Sequence, residues 1–170
     1  NVQAETVMFR LLRGTGTDGL AGIAYEREER REGSVYSVIR PLLDVWRQDI
    51  EAYCSEAGLN PVTDHTNNEE IYARNRIRLD LLPYITREYN GNIMEGLVRL
   101  SRIAAQDKEY FWMETERQLG ELRLLHDTAG NPFPEGTVVL QRQGLADCHG
   151  AIRHRVIMKA FEEIGLTRDI

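Results

Sequence analysis

The sequence predicts a mainly helical chain with a smaller α/β portion at its front. Three observations lead there. Apolar residues recur at helical spacing along most of the 170 residues. The run from Val35 to Leu43 is short, apolar and β-branched at Val35, Val38 and Ile39, the pattern of a strand. The order helix, strand, helix ahead of it and behind it is that of part of an α/β unit, while the remainder reads almost wholly as helix. The expected division is 1–68 for the α/β part and 69–170 for a helical domain.

In chain order, residues 3–13 read as a helix whose buried face carries Val7, Met8, Leu11 and Leu12. Gly14 stands where a left-handed residue ends a helix. The run 14–19 is rich in glycine and reads as a flexible loop. Residues 26–34 mix both signs of charge and read as a solvated loop. The Val35 strand ends near Arg40, before Pro41. Residues 45–57 form an amphipathic helix with Trp46, Ile50 and Tyr53, closed by Gly58. Pro61-Val62 leads an extended piece into a loop at Asp64. Residues 69–82 read as a helix that Pro83 kinks or ends. Ile93, Leu97, Leu100, Ala104 and Phe111 mark one side of a long helix running toward Leu125, with Gly120 as a candidate break. Residues 127–137 form a loop, Val138–Leu140 a strand or the entry to a helix, and a last helix carries Ile152, Val156, Ile157, Ala160, Phe161 and Ile164 before Gly165.

Composition narrows the function classes. Apolar residues at 42% and charged residues at 28% suit a globular protein. No run of about 18 apolar residues offers a membrane span, and no basic-then-apolar signal opens the chain. Cys54 and Cys148 lie far apart without metal spacing and read as reduced thiols of a cytoplasmic protein. His65, His126, His149 and His154 form no H-x-x-x-H pattern, so no metal site is expected. A net charge of −6 argues against wholesale electrostatic binding of nucleic acid. A local patch remains: from Tyr72 to Arg102 six arginines (Arg74, Arg76, Arg78, Arg87, Arg99, Arg102) stand against three acids (Asp80, Glu88, Glu95).

The chemistry concentrates in two neighbouring runs. Asp64-His65-Thr66-Asn67 places a carboxylate, a hydroxyl and an amide in one loop. Arg74-Asn75-Arg76-Ile77-Arg78 brings three arginines within five residues. Arg74 and Arg78 share a helix face, and their planar forks match phosphate oxygens. The structural alternative is an ion pair to Glu70 or Asp80, and the Asp64 loop also suits a helix cap, with Asn67 and Glu70 as a capping box. Gly14-Thr15-Gly16-Thr17-Asp18-Gly19 matches G-x-G-x-x-G, but a helix rather than a strand precedes it, which excludes a dinucleotide fingerprint. Its backbone N–H groups, beside Arg10 and Arg13, remain candidates for an anionic site.

Several blocks together resemble the tRNA(Ile)-lysidine synthases: Gln3-Ala4-Glu5-Thr6-Val7, Arg10-Leu11-Leu12-Arg13-Gly14-Thr15-Gly16, Leu20-Ala21-Gly22-Ile23, Ile39-Arg40-Pro41-Leu42-Leu43, Asp64-His65-Thr66-Asn67, and Arg74 to Arg78 with Leu82-Pro83. The resemblance covers about residues 3–83. It implies a Rossmann-like α/β pyrophosphatase-loop ATPase domain followed by helical parts that contact tRNA. The implied reaction uses ATP with Mg2+ to adenylate O2 of the wobble cytidine of a tRNA(Ile) with a CAU anticodon. The ε-amine of L-lysine then displaces AMP. Residue by residue, the resemblance places Asp64 and Arg40 at the lysine and adenylate site. Arg13, Gly14, Thr15, Gly16 and Asn67 fall near nucleotide or substrate, and Arg74, Asn75 and Arg78 grip the RNA or shape the site.

Two departures accompany it. The family's S-G-G-x-D-S loop is absent, and Val2 stands where the family usually has an acid. The expectation is therefore a portion of such an enzyme, inactive alone, cytoplasmic and a candidate homodimer. The alternatives are a non-catalytic tRNA-binding module and a related ATPase that modifies another tRNA base.

Overall fold

A computed structural model describes residues 1–31, 33–61 and 72–166, except for the side chains of Arg30 and Tyr72. It is mainly helical, as the sequence predicts. The chain forms two compact units, residues 1–106 and 107–170. The expected boundary near residue 68 lies outside the described residues.

In the first unit, helix α1 (Val2–Leu12) begins at Asn1, whose Oδ1 accepts from the backbone N–H of Gln3 at 2.8 Å. Its buried face carries Ala4, Val7 and Met8. Leu11 and Leu12, expected on that face, are exposed. At the far end Gly14 adopts φ +77°. The N–H of Gly14 donates to Leu11 O at 3.1 Å and that of Thr15 to Arg10 O at 3.2 Å, a Schellman closure.

The glycine-rich run is built rather than loose. A short helix α2 (Thr17–Leu20) follows Gly16. Arg10 Nη1 donates to Gly19 O at 2.9 Å and Gly22 O at 2.7 Å. The Gln3 amide donates to Ile23 O at 3.1 Å and accepts from Ile23 N–H at 2.8 Å. Two side chains of α1 thus strap residues 19–23 to the helix. At Gly22, with φ +67°, a Cβ would lie 2.7 Å from Gln3 Oε1, so only glycine fits.

Strands β1 (Glu26–Arg31) and β2 (Ser34–Ile39) form an antiparallel hairpin, with Glu26 opposite Ile39 and Arg31 opposite Ser34. β2 meets the expectation. β1 corrects the solvated loop expected at 26–34. Arg27, Glu29 and Arg31 are two residues apart, which puts them on one side of a strand, and Glu29 pairs with both arginines. Opposite-charge pairs on one face favour the strand in a segment whose composition alone reads as loop. Val35, Tyr36 and Ile39 are exposed.

Helix α3 (Arg47–Glu56) ends before Gly58 at φ +64°. No residue of α3 is buried, and Tyr53, expected on its packed face, is exposed. The expected extended piece at Val62 and the loop at Asp64 lie outside the described residues.

From Tyr72 the chain is helical across Pro83: of the expected kink or end, the helix does not end there but widens just before the proline. Helix α4 (Tyr72–Arg76) passes into a π-helical turn (Ile77–Leu81) and then α5 (Leu82–Glu88). Proline lacks an N–H and crowds the carbonyl four residues back. The wider turn, in which Leu82 N–H reaches Ile77 O, accommodates this without ending the helix. Ile77 and Leu82 pack with Ala4, Val7, Met8, Leu97 and Val98 as the core of this unit.

Helix α6 (Ile93–Leu122) is unbroken, and Gly120 does not interrupt it. It contributes residues 93–106 to the first unit and 107–122 to the second. In the second unit, β3 (Arg123–Leu124) pairs antiparallel with β4 (Val139–Leu140), followed by α7 (Arg142–Asp147) and α8 (Gly150–Glu163). Leu119, Leu122, Ile152 and Val156 form its core. In the loop between, the Asp127 carboxylate accepts from the N–H groups of Ala129 and Asn131, each at 2.8 Å. These bonds, chiefly those from Asn131, hold its pKa below the ordinary range. Cys54 and Cys148 are free thiols, both half-buried.

Candidate functional site

Two cavities in the first unit bring together residues that are distant in sequence. The first is a cavity of about 710 Å³. Helix α1 supplies Glu5, the end of the hairpin supplies Arg40 and Pro41, and the π-helical turn supplies Arg78. Arg78 Nε lies 3.8 Å from Glu5 Oε1. Glu5 is 15% exposed and Arg78 is 40% exposed. Arg40 is half-buried, and its Nη1 donates to Ala24 O at 3.0 Å while its N–H reaches Tyr25 O at 2.9 Å. Those two bonds close the open end of the hairpin and hold the guanidinium at the cavity. A carboxylate beside two guanidinium groups suits a ligand that carries both an amine and an anion, because each charge meets its opposite at short range.

The second cavity, about 940 Å³, lies where the end of α1 meets α4, the π-helical turn and α5. Phe9, Arg13, Arg76, Tyr84 and Arg87 line it, with Asp80. Arg13 stands 4.6 Å above the Phe9 ring centroid and Arg74 5.9 Å from it. Arg87 lies 5.9 Å from the Tyr84 ring. Among the described residues the two cavities share no lining side chain.

The expected site residues distribute as follows. Arg40 and Arg78 meet in the first cavity, and Arg13 lines the second. Arg74 and Arg78, four residues apart, meet Phe9 and Glu5, also four apart on α1. They share one helix face, and among the described residues the partner of Arg78 is Glu5 rather than Asp80, while Glu70 lies outside the described residues. Asn75 is half-buried on α4. Around Gly14, Thr15 and Gly16, the N–H groups of Gly14 and Thr15 are engaged by the Schellman closure, and Gly16 O accepts from Gly19 and Leu20. Arg10, expected to flank an anionic site there, bonds carbonyls instead. Asp64 and Asn67 lie outside the described residues.

Sequence reasoning missed Glu5 and Arg76. Glu5 sits inside the Gln3–Val7 block but alternates with buried residues in a way that reads as solvent-facing. Arg76 lies off the Arg74–Arg78 face, and only the fold of α1 against α4 brings it beside Arg13.

Residues 1–85 match the model of the PP-loop domain. The chain belongs to the PP-loop family. A tRNA(Ile)-lysidine synthase of Clostridioides difficile is 42% identical over 164 residues, 96% of this PP-loop chain and 32% of the relative. One from Symbiobacterium thermophilum is 40% identical over 168 residues, 96% of this chain and 33% of the relative. One from Clostridium acetobutylicum is 46% identical over 110 residues, 65% of this chain and 22% of the relative. The PP-loop chain spans about a third of the length of the curated relatives it matches.

No helix among the described residues is long and apolar enough to cross a membrane. Among them, no cluster of three His, Cys, Asp or Glu side chains forms.

Proposed function

We propose that this chain is part of a tRNA(Ile)-lysidine synthase. The complete protein, a cytoplasmic ligase and candidate homodimer, joins L-lysine to the wobble cytidine of a tRNA(Ile) with a CAU anticodon. O2 of the cytidine attacks the α-phosphorus of ATP, the α–β anhydride bond breaks, and pyrophosphate leaves an adenylated cytidine. The lysine ε-amine then forms the new C–N bond at C2 and AMP leaves. Residues up to about 68 belong to the Rossmann-like α/β ATPase domain, and residues 69–170 to a helical domain that contacts tRNA.

The observation that carries this reading is a convergence. Three blocks of the resemblance, around Glu5, Arg40 and Arg78, meet at one cavity although 38 residues separate the last two and 35 the first two. There Arg40 and Arg78 balance negative charge at the adenylate phosphate, whose developing charge a fixed guanidinium stabilises without reorganising. Glu5, together with Asp64 as implied by the resemblance, holds the lysine ammonium or accepts a proton from the attacking amine. Arg13 to Gly16 and Asn67 lie near nucleotide or substrate, and Arg74 and Asn75 shape the RNA-facing side. The chain as it stands carries no S-G-G-x-D-S loop and is expected to make no lysidine alone.

The test is incorporation of labelled lysine into a CAU-anticodon tRNA(Ile) transcript by the complete gene product. Incorporation that requires ATP and releases AMP supports the reading. AMP release and base modification without lysine transfer would move the protein to a related ATPase acting on another base.

A further inference from the structure

We infer that the groove of Phe9, Arg13, Arg76, Tyr84 and Arg87 is a docking site for unpaired RNA, with a base on the Tyr84 ring and the flanking phosphodiesters on the arginines. The inference rests on the RNA substrate proposed above and adds a contact site that shares no lining residue with the Arg40 cavity.

Charge complementarity comes first. The protein carries −6 overall, yet three guanidinium groups, Arg13, Arg76 and Arg87, line this groove, and Arg74 stands 5.9 Å from the centroid of its Phe9 ring. Among the described residues no carboxylate pairs with Arg13, Arg74 or Arg76. Arg87 is paired through its Nε with Glu88 at 2.5 Å. Asp80 is the one carboxylate among the described lining residues. A local excess of positive charge persists where the rest of the surface repels a polyanion, so an anionic ligand is steered to this place.

The aromatic rings then choose among polyanions. Arg13 and Arg74 both lie against Phe9, and Arg87 against Tyr84. A guanidinium that rests its flat face on a ring keeps its edge N–H groups for phosphate oxygens. Tyr84 is 47% exposed, although its ring also meets Tyr89 edge-on at 5.8 Å. An acidic peptide offers charge without flat faces, and a duplex keeps its bases stacked on each other. An unpaired strand offers both phosphates and free base faces, the combination that aromatic platforms in basic grooves bind. The volume, about 940 Å³, exceeds what one base requires and leaves room for its neighbours.

The experiment is fluorescence anisotropy of the complete protein with a labelled single-stranded RNA of about a dozen nucleotides, at low and near-physiological salt. Circular dichroism checks that each variant keeps its helix content. Tyr84→Ala is expected to weaken binding about 10-fold with the salt slope unchanged, and Tyr84→Trp to restore it, since stacking is lost and regained. Arg76→Ala is expected to weaken binding and lower the salt slope by about one. Duplex RNA of equal length is expected to compete poorly. Binding that both alanine variants leave within about twofold of the parent overturns the groove assignment and leaves the proposed reaction standing. Absence of any RNA binding, or competition by polyphosphate as strong as by RNA, also overturns it. Lysine transfer by the complete protein is read separately, so failure of the proposed function shows there and not in the anisotropy.

Discussion

The two cavities of the first unit are built on the same helix and differ in almost everything else. The Arg40 cavity takes the front of α1, where Glu5 sits with Arg78, and it is closed by a hairpin end whose bonds fix Arg40. The groove takes the end of α1, where Arg13 lies against Phe9, and among the described residues its cations have no carboxylate partner apart from Glu88 at Arg87. One places opposite charges close together, which favours a small ligand that is itself zwitterionic or changes charge during reaction. The other spreads like charges over rings, which favours a long polyanion. The same residue type, arginine, therefore serves two chemistries, and the difference lies in what stands beside it.

Substitutions separate the two. The largest effect is expected from Glu5→Gln in the complete protein. It removes the carboxylate of the mixed-charge cavity while keeping its shape, and lysine transfer should fall about 100-fold. RNA affinity should hardly change. Steady-state kinetics with lysine varied, beside anisotropy, check both halves, and a parallel loss of RNA binding would break the comparison.

Gly22→Ala comes next. The added methyl meets the Gln3 amide at a left-handed φ, and a strained backbone of this kind costs about 1–3 kcal/mol. Because Ile23 lines the Arg40 cavity, chemical denaturation should show the loss, and lysine transfer should suffer more than RNA binding. A smaller change is expected from Arg13→Ala, which removes one phosphate contact and its stacking on Phe9. RNA affinity, read by anisotropy, should fall about 5-fold at low salt and less at high salt.

The smallest effect belongs to the second unit and serves as a control on both cavities. The Arg117 guanidinium, and after it the Gln118 amide, holds the Glu114 carboxyl at about 2, below its ordinary 4.5. A lowered folded-state pKa contributes stability that is fully present above the ordinary value and is lost as pH falls toward 2. Glu114→Gln should therefore flatten the acid limb of thermal melts slightly and leave RNA affinity and lysine transfer unchanged. A melt with an undiminished acid limb would remove Glu114 from its cause.

Legibility in the sequence followed locality. The ends of α1 and α8, the strand at Val35 and the loop at 127–137 were readable because caps, glycine conformations and apolar periods act within a few residues. The charged strand β1 was not, because its pairing depends on β2 and on a two-residue alternation hidden in a highly charged run. At Pro83 the sequence left a kink or an end open, because a π-helical turn is an arrangement of the backbone, with no residue type of its own. Arg10 looked like an anion ligand until the fold placed Gly19 and Gly22 carbonyls at its fork.

By itself the sequence determined the helical character of the chain, the ends of α1 and α8, the local excess of arginine after Tyr72 and the resemblance that points to a PP-loop protein. Those properties depend on the identity and order of near neighbours. The tertiary structure alone decided that Glu5 faces Arg78 beside Arg40, and that Arg76 joins Arg13 at a separate groove. The physical reason is that a side chain's chemistry depends on the charges and rings within a few ångströms of it, and here those come from residues tens of positions away.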